Sequence, residues 1–301
     1  MTVRRTWLWL ALIVVVGVAL GILHTNPRQW DLFIRFLHKE GLMHGPLIAS
    51  PETFFEGDQL PLAYAIHEGD LAKVEALEKT VDLNRHGLHH FSFLLYAFNQ
   101  ATQDEKNPDS VYFKVMASLV RAGADVNDAH PWNDDSTPLS SSLQAISPNY
   151  LRALLDGGMS PDYMIDGQEP ILFEVAHDPL LASVKLLVER GANVNARDVL
   201  GKTAIFDALS TGQLDVVNYL LDHGADPNVV DHLGFRFTYD LSQAIDEQTG
   251  DDPYHFRPRM IAIRDRLIKQ GVKWPPDPPL VERDRMRARG ETPVIPDGLA
   301  R

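Results

Sequence analysis

The residues best placed for chemistry are His86, His89 and His90, which fall together in the stretch RHGLHHF. Histidines at this spacing can coordinate zinc or copper through neutral imidazole nitrogens. The stretch holds no acidic ligand, and the chain has no cysteine, which removes thiolate metal sites, thiol nucleophiles and disulfides together. No metal is expected there, and a solvated loop ahead of a helix is the expected setting. Two pairs of adjacent carboxylates, Asp134-Asp135 and Asp251-Asp252, fail on geometry. Neighbours in sequence point apart, so neither pair converges on one proton or one calcium ion. The G-x-S-x-G, phosphate-loop and H-E-x-x-H patterns do not occur. The sequence predicts neither an enzyme nor a cofactor, so the function is sought in a surface.

The elements that would carry such a surface recur. Gly123-Ala124-Asp125-Val126-Asn127, Gly157-Gly158-Met159-Ser160-Pro161-Asp162, Gly191-Ala192-Asn193-Val194-Asn195 and Gly224-Ala225-Asp226-Pro227-Asn228 return at about 33-residue intervals. Each follows a short apolar helical pattern, such as Val184, Leu186, Leu187 and Val188, or Val216, Val217, Leu220 and Leu221. Gly123, Gly157, Gly191 and Gly224 are expected to stop the helix by turning left-handed, and the following Asn or Asp to shape a turn. A second helix start follows at Thr137-Pro138-Leu139 or at Thr203-Ala204-Ile205, where threonine caps and proline suits the first turn. Each unit is a loop, a short helix, a turn and a longer helix, too small to bury its own apolar face without stacking on neighbours.

These residues resemble the ankyrin repeat, whose pattern runs G-x-T-P-L-H-x-A-A-x-x-G, then a Val- and Leu-rich helix, then G-A-x-x-N. The fullest match runs from Gly201-Lys202-Thr203 to Asn228, with Gly212 at the turn between helices. Further copies cover residues 167–195 and 135–162, and weaker ones cover 61–84, 94–127 with an insert at 99–108, and 231–274 with an insert at 249–258. The resemblance implies an all-α ankyrin-repeat solenoid of about six helix-turn-helix units over residues 55–274. No copy keeps the complete T-P-L-H tetrapeptide, whose histidine ties neighbouring loops in the family, so the resemblance implies less stable loops here.

In ankyrin proteins partners lie in the concave groove of loop tips and first helices, and the resemblance implies the same here. The tip positions are His89, His90, Trp132, Tyr163, Asp166, Arg197, His232 and Phe235. Seven of these, Trp132, Tyr163, Asp166, Arg197, Phe235, His89 and His90, are the expected partner-binding residues, with the aromatic ones as anchors. The alternative is that Trp132, Tyr163 and Phe235 pack between neighbouring loops.

Charge narrows the partner. Of the net −13, residues 51–274 carry 18 basic against 34 acidic groups. A surface of that sign repels phosphate backbones and excludes nucleic acid, and it favours a protein with a basic face unless the charge serves solubility alone.

The flanks suggest a membrane. Residues 7–23 (WLWLALIVVVGVALGIL) carry no charge, follow Arg4 and Arg5, and begin with Trp7 and Trp9. As a helix they would span about 25 Å, the short end of what a bilayer needs. The arginines would hold the N-terminus in the cytoplasm and place the rest across the membrane. A cleaved signal peptide is the alternative, with Ala19 and Gly21 making a poor cleavage site. The expected organisation is therefore an anchor or signal segment over 1–25, a juxtamembrane amphipathic helix and linker over 26–54, the repeat domain over 55–274, and a proline- and charge-rich disordered tail over 275–301. Trp30, Phe33, Ile34 and Leu37 share one face of the second segment, either on the bilayer surface or capping the first repeat.

The functional expectation follows: a single-pass membrane protein with its ankyrin domain on the non-cytoplasmic side, periplasmic if bacterial. It would bind a protein through that domain and the lipid bilayer through residues 7–23. It would act as an adaptor or inhibitor, an immunity protein being one form. The alternatives are a scaffold or stabiliser of an envelope enzyme and a secreted effector.

Overall fold

The computed structural model describes residues 50–129, 137–177, 180–248, 250 and 254–295, without the side chain of His89. Within them six helix pairs follow one another. The pairs are α1 (Leu60–Glu68) with α2 (Leu71–Leu77), α3 (Phe93–Ala101) with α4 (Val111–Arg121), and α5 (Pro138–Gln144) with α6 (Asn149–Asp156). They continue with α7 (Ile171–His177) and α8 (Leu181–Glu189), α9 (Ala204–Ser210) and α10 (Leu214–Asp222), and α11 (Phe237–Glu247) and α12 (Phe256–Lys269).

Each pair is set by its sequence. Thr137 accepts a bond from the Ser140 amide at 3.0 Å while the Ser140 hydroxyl accepts from the Thr137 amide at 2.8 Å, and Pro138 stands in the first turn of α5. Ser92 caps α3 and Asp70 caps α2 in the simpler way. At the far end of the second helix in the last five pairs one motif recurs. The residue after a left-handed glycine donates to a carbonyl five residues back: Ala124 to Leu119, Met159 to Leu154, Ala192 to Leu187, Ala225 to Leu220 and Val272 to Leu267. The third copy corrects one expectation. Gly158, at φ +104°, is the left-handed residue, whereas Gly157 stays helical at φ −74°. Gly157 is needed for room, because a Cβ there would lie 2.5 Å from Cβ of Val120 and 2.9 Å from the Ala117 carbonyl oxygen.

First helices pack on first helices and second on second, so one apolar core runs through the units. Leu62, Ile66, Leu94, Met116, Leu119, Leu154, Leu187, Val217, Leu220, Phe237 and Leu267 all belong to it and are fully or almost fully buried. Each interface repeats the last, which is how units too small to fold alone become stable in a stack.

Two features depart from the expected organisation. A two-stranded ribbon, β1 (Met164–Ile165) antiparallel to β2 (Glu169–Pro170), precedes α7. Its turn places Asp166 at φ +50° and Gly167 at φ +69°, and Gln168 donates to Ile165 at 2.9 Å. This is the turn with two positive φ values that an Asp-Gly pair favours. The second departure is in the tail, where a disordered segment was expected. Helix α13 (Pro279–Ala288) forms there, because Pro279 fits its first turn and Glu282, Arg283 and Met286 find buried positions.

The membrane expectations are corrected as a group. Among the described residues no helix is long and apolar enough to cross a membrane. The longest, α12, has 14 residues, about 21 Å against a hydrocarbon core of about 30 Å. It also carries Arg257, Arg259, Arg264, Asp265, Arg266 and Lys269. Residues 7–23, on which the expected transmembrane helix rested, lie outside the described residues, as does the amphipathic helix expected beyond them. The transmembrane helix, the signal segment, the bilayer as partner and the non-cytoplasmic, periplasmic placement are therefore withdrawn.

Candidate functional site

The loops at the ends of the second helices are tied to one another by side-chain amides and carboxylates. Asn84 accepts from the Asp125 amide at 2.8 Å and donates to the Gly123 carbonyl at 3.0 Å. Asp162 accepts from the Asn193 amide at 2.7 Å. Asn195 accepts from the Asp226 amide at 2.8 Å and donates to the Gly224 carbonyl at 2.9 Å. This ladder ties neighbouring units to one another. At Asn127 it changes partner, and the amide donates to the Tyr163 hydroxyl instead.

The expected partner-binding residues are placed as follows. Tyr163 is half-buried, with its hydroxyl used by Asn127 and its ring against the core. Asp166 is exposed at the tip of the β1–β2 turn. Arg197 is exposed and donates to the Val230 carbonyl at 3.3 Å. Phe235 is half-buried between Tyr239, with ring centroids 5.9 Å apart, and the Arg283 guanidinium, 5.9 Å from its centre. His90 is exposed at φ +58°, its ring 5.5 Å from that of His86. Trp132 and the side chain of His89 lie outside the described residues, as do Asp134, Asp135, Asp251 and Asp252. His86 meets Asp128 at 2.6 Å, a carboxylate from the next loop, yet among the described residues no three metal-ligating side chains converge.

What the sequence reading missed is a row of carboxylates on the first helices. Glu174, Asp207 and Asp240 stand at the fourth position of α7, α9 and α11, and Glu169 precedes α7 in β2. The interval of 33 residues from 174 to 207 and again to 240 is the repeat period, and it is visible in the sequence. Among the described residues no cation lies within ion-pair distance of these four. Burial pushes the Asp240 carboxyl up to about 6, with Lys202 opposing and Asp231 adding to the rise. Burial also raises Asp207, against the pull of Lys202 and with a push from Asp198. Glu169 is raised by burial and then by Asp207, Glu174 and Asp198. The row is thus concentrated negative charge, half-buried, with Lys202 as the main opposing cation.

The loops that frame it are closed by carboxylate-to-amide hydrogen bonds. The carboxylate of Asp198 accepts from the amides of Leu200 and Lys202 at 2.9 and 2.7 Å, and that of Asp231 from Leu233 and Phe235 at 2.9 and 2.7 Å. The same Asp-x-x-Gly turn is therefore built twice, closed by Gly201 at φ +77° and Gly234 at φ +85°.

Residues 166–231, the part of the chain that holds most of this row, match the family model described as "Ankyrin repeats (3 copies)". The chain carries an ankyrin-repeat domain. Among known proteins, "Ankyrin repeat domain-containing protein 63" of Mus musculus is 41% identical over 71 residues, covering 23% of this chain and 18% of that protein. "Alpha-latrocrustotoxin-Lt1a" of Latrodectus tredecimguttatus is 34% identical over 115 residues, covering 38% of this chain and 8% of the toxin. The chain thus spans less than a fifth of the length of the first of these relatives. Among solved structures, the ankyrin repeat domain of Bcl-3, described as a unique member of the IkappaB protein family, aligns with a TM-score of 0.49 at 22% identity. The alignment covers 74% of this chain and 92% of that one. The ankyrin repeat is a scaffold without catalytic activity of its own.

Proposed function

We propose that the chain is a protein-binding module that takes a basic segment of another protein along the first-helix row Glu169, Glu174, Asp207 and Asp240, between the loop tips at Asp166 and Arg197. The observation that carries this reading is the row itself: carboxylates spaced by the repeat period and left without ion pairs among the described residues. Half-buried carboxylates that lack cations destabilise the free protein, and an arriving lysine or arginine relieves that cost. Charge of one sign along a groove also steers an oppositely charged partner and selects against others.

Titration of the full chain with arginine- and lysine-rich peptides tests this. Binding is expected to weaken at least tenfold in the variant E174Q/D207N/D240N, and its salt dependence to flatten. Equal affinity and equal salt dependence for the two proteins would remove the row from the binding site. Proton linkage gives a second readout. Asp240 is protonated in part near pH 6, so affinity for the peptide rises from pH 5 to pH 7 and binding near pH 6 releases protons.

A further inference from the structure

The C-terminal residues 279–295 run back over the loop tips of the last two units. Helix α13 rests there on backbone. Arg283 donates through Nε to the Leu233 carbonyl at 2.7 Å, and its guanidinium lies over the Phe235 ring. Glu282, with no exposed surface, meets Arg236 at 2.9 Å and Arg285 at 2.5 Å. Gly234 is moulded to the helix, since a Cβ there would lie 2.8 Å from Cγ of Arg283 and 3.0 Å from the Pro279 carbonyl oxygen. Farther on, the Val294 amide donates to the His232 carbonyl at 2.7 Å. Between these two attachments a cleft of 710 Å³ lies open, lined by Arg197, Asn228, His232, Met286, Thr292 and Val294 among others.

Three observations separate this segment from the solenoid. Met286 is buried but stands outside the continuous apolar core. The anchors are an arginine, a glutamate and a backbone amide, and Leu280, Val281, Val294 and Ile295 are exposed. The stack also ends without its help, because α12 buries only Met260, Ile263 and Leu267 and turns a charged face outward, while Gly271 and Val272 close the last helix.

We propose that the loop tips at residues 232–236 are a docking site for a short helix with an adjacent acid and arginine, and that the chain's own residues 279–295 are its resident ligand. A partner presenting the same pair displaces the segment and gains Phe235, Arg236 and the Leu233 carbonyl. This site is distinct from the first-helix row, and either can fail without the other.

The test uses the full chain, labelled with ¹⁵N, and an unlabelled synthetic peptide of residues 277–295. Excess peptide is expected to shift the chain's own Val294 and α13 amides to free positions while the amides of Gly234 and Phe235 keep their bound environment. Tethering gives the resident segment an effective concentration in the millimolar range, so displacement of the native chain takes about millimolar peptide. In the full-chain variant Arg283→Ala the same peptide should act at about tenfold lower concentration, because the resident segment has lost a charged hydrogen bond and a ring contact. A peptide carrying Arg283→Ala should be at least about tenfold weaker on either chain. The proposal is overturned if millimolar peptide leaves both spectra unchanged. It is equally overturned if the amides of 279–295 exchange with solvent only when α9 and α10 unfold.

Discussion

At Asp240 burial outweighs the attraction of Lys202, and the carboxyl is raised to about 6. The folded protein therefore holds a proton that the unfolded chain, with an ordinary Asp value of 3.8, has released between these two values. Stability from this group is highest below about pH 4 and falls as pH rises to about 6, above which the cost of the buried charge is complete. Asp240→Asn should raise stability at pH 7 by about 1–2 kcal/mol, allowing for solvent screening, and change it little at pH 4. Thermal melts at the two pH values measure this, and an equal effect at both would contradict it. The loop ladder makes a second residue-scale prediction. Asn195 makes two inter-unit bonds, to the Asp226 amide and the Gly224 carbonyl. Asn195→Ala should cost about 1–3 kcal/mol in denaturant unfolding, and Asn127→Ala, which removes one bond to Tyr163, about half as much. Equal costs would mean that the ladder is not what ties the loops.

At the scale of the element, the glycines show what sequence could and could not tell. The repeated glycine before Ala124, Ala192 and Ala225 was legible because a left-handed helix end needs glycine wherever it occurs. The pair Gly157-Gly158 was ambiguous, since one glycine serves the backbone angle and the other serves packing against Val120, a contact across units that no local pattern records. Gly157→Ala should destabilise by about 1–3 kcal/mol and recover in the background Val120→Ala. Gly158→Ala should cost about 1 kcal/mol in either background, because nothing lies near its Cβ position. A Gly157→Ala cost that Val120→Ala leaves unchanged would point away from the clash. The helix pairs were legible because apolar stripe and glycine stop recur together, although Thr203, expected to cap α9, makes no cap bond. Helix α13 was not, because prolines at 275, 276, 278 and 279 read as a break, and its partners Leu233 and Arg236 lie about 50 residues away in sequence.

At the scale of the molecule, the repeat number was legible from the period together with the family resemblance, and the acidic surplus from composition. The placement of that surplus was not. A count of −16 over residues 51–274 treats all carboxylates alike, whereas stacking brings Glu174, Asp207 and Asp240 into one row and leaves Asp215 and Asp222 paired with Arg259 and Arg266 elsewhere. The expected loop-tip anchors were chosen for residue type, but Tyr163 is engaged within the protein and Phe235 lies under the C-terminal segment. The apolar run at 7–23 was read as a membrane anchor from its lack of charge, the preceding Arg4 and Arg5 and the tryptophans at its start. It lies outside the described residues, among which no helix is long and apolar enough to cross a membrane, and the anchor is not carried forward. The most direct test of the central claim is a carboxylate-detected NMR titration of the full chain with a lysine- and arginine-rich peptide near pH 6. Ionisation of Asp207 and Asp240 should be drawn to lower pH together, with their carboxyl resonances moving ahead of those of Asp58 and Asp215. Shifts confined to exposed carboxylates such as these, with Asp207 and Asp240 unmoved, would contradict it.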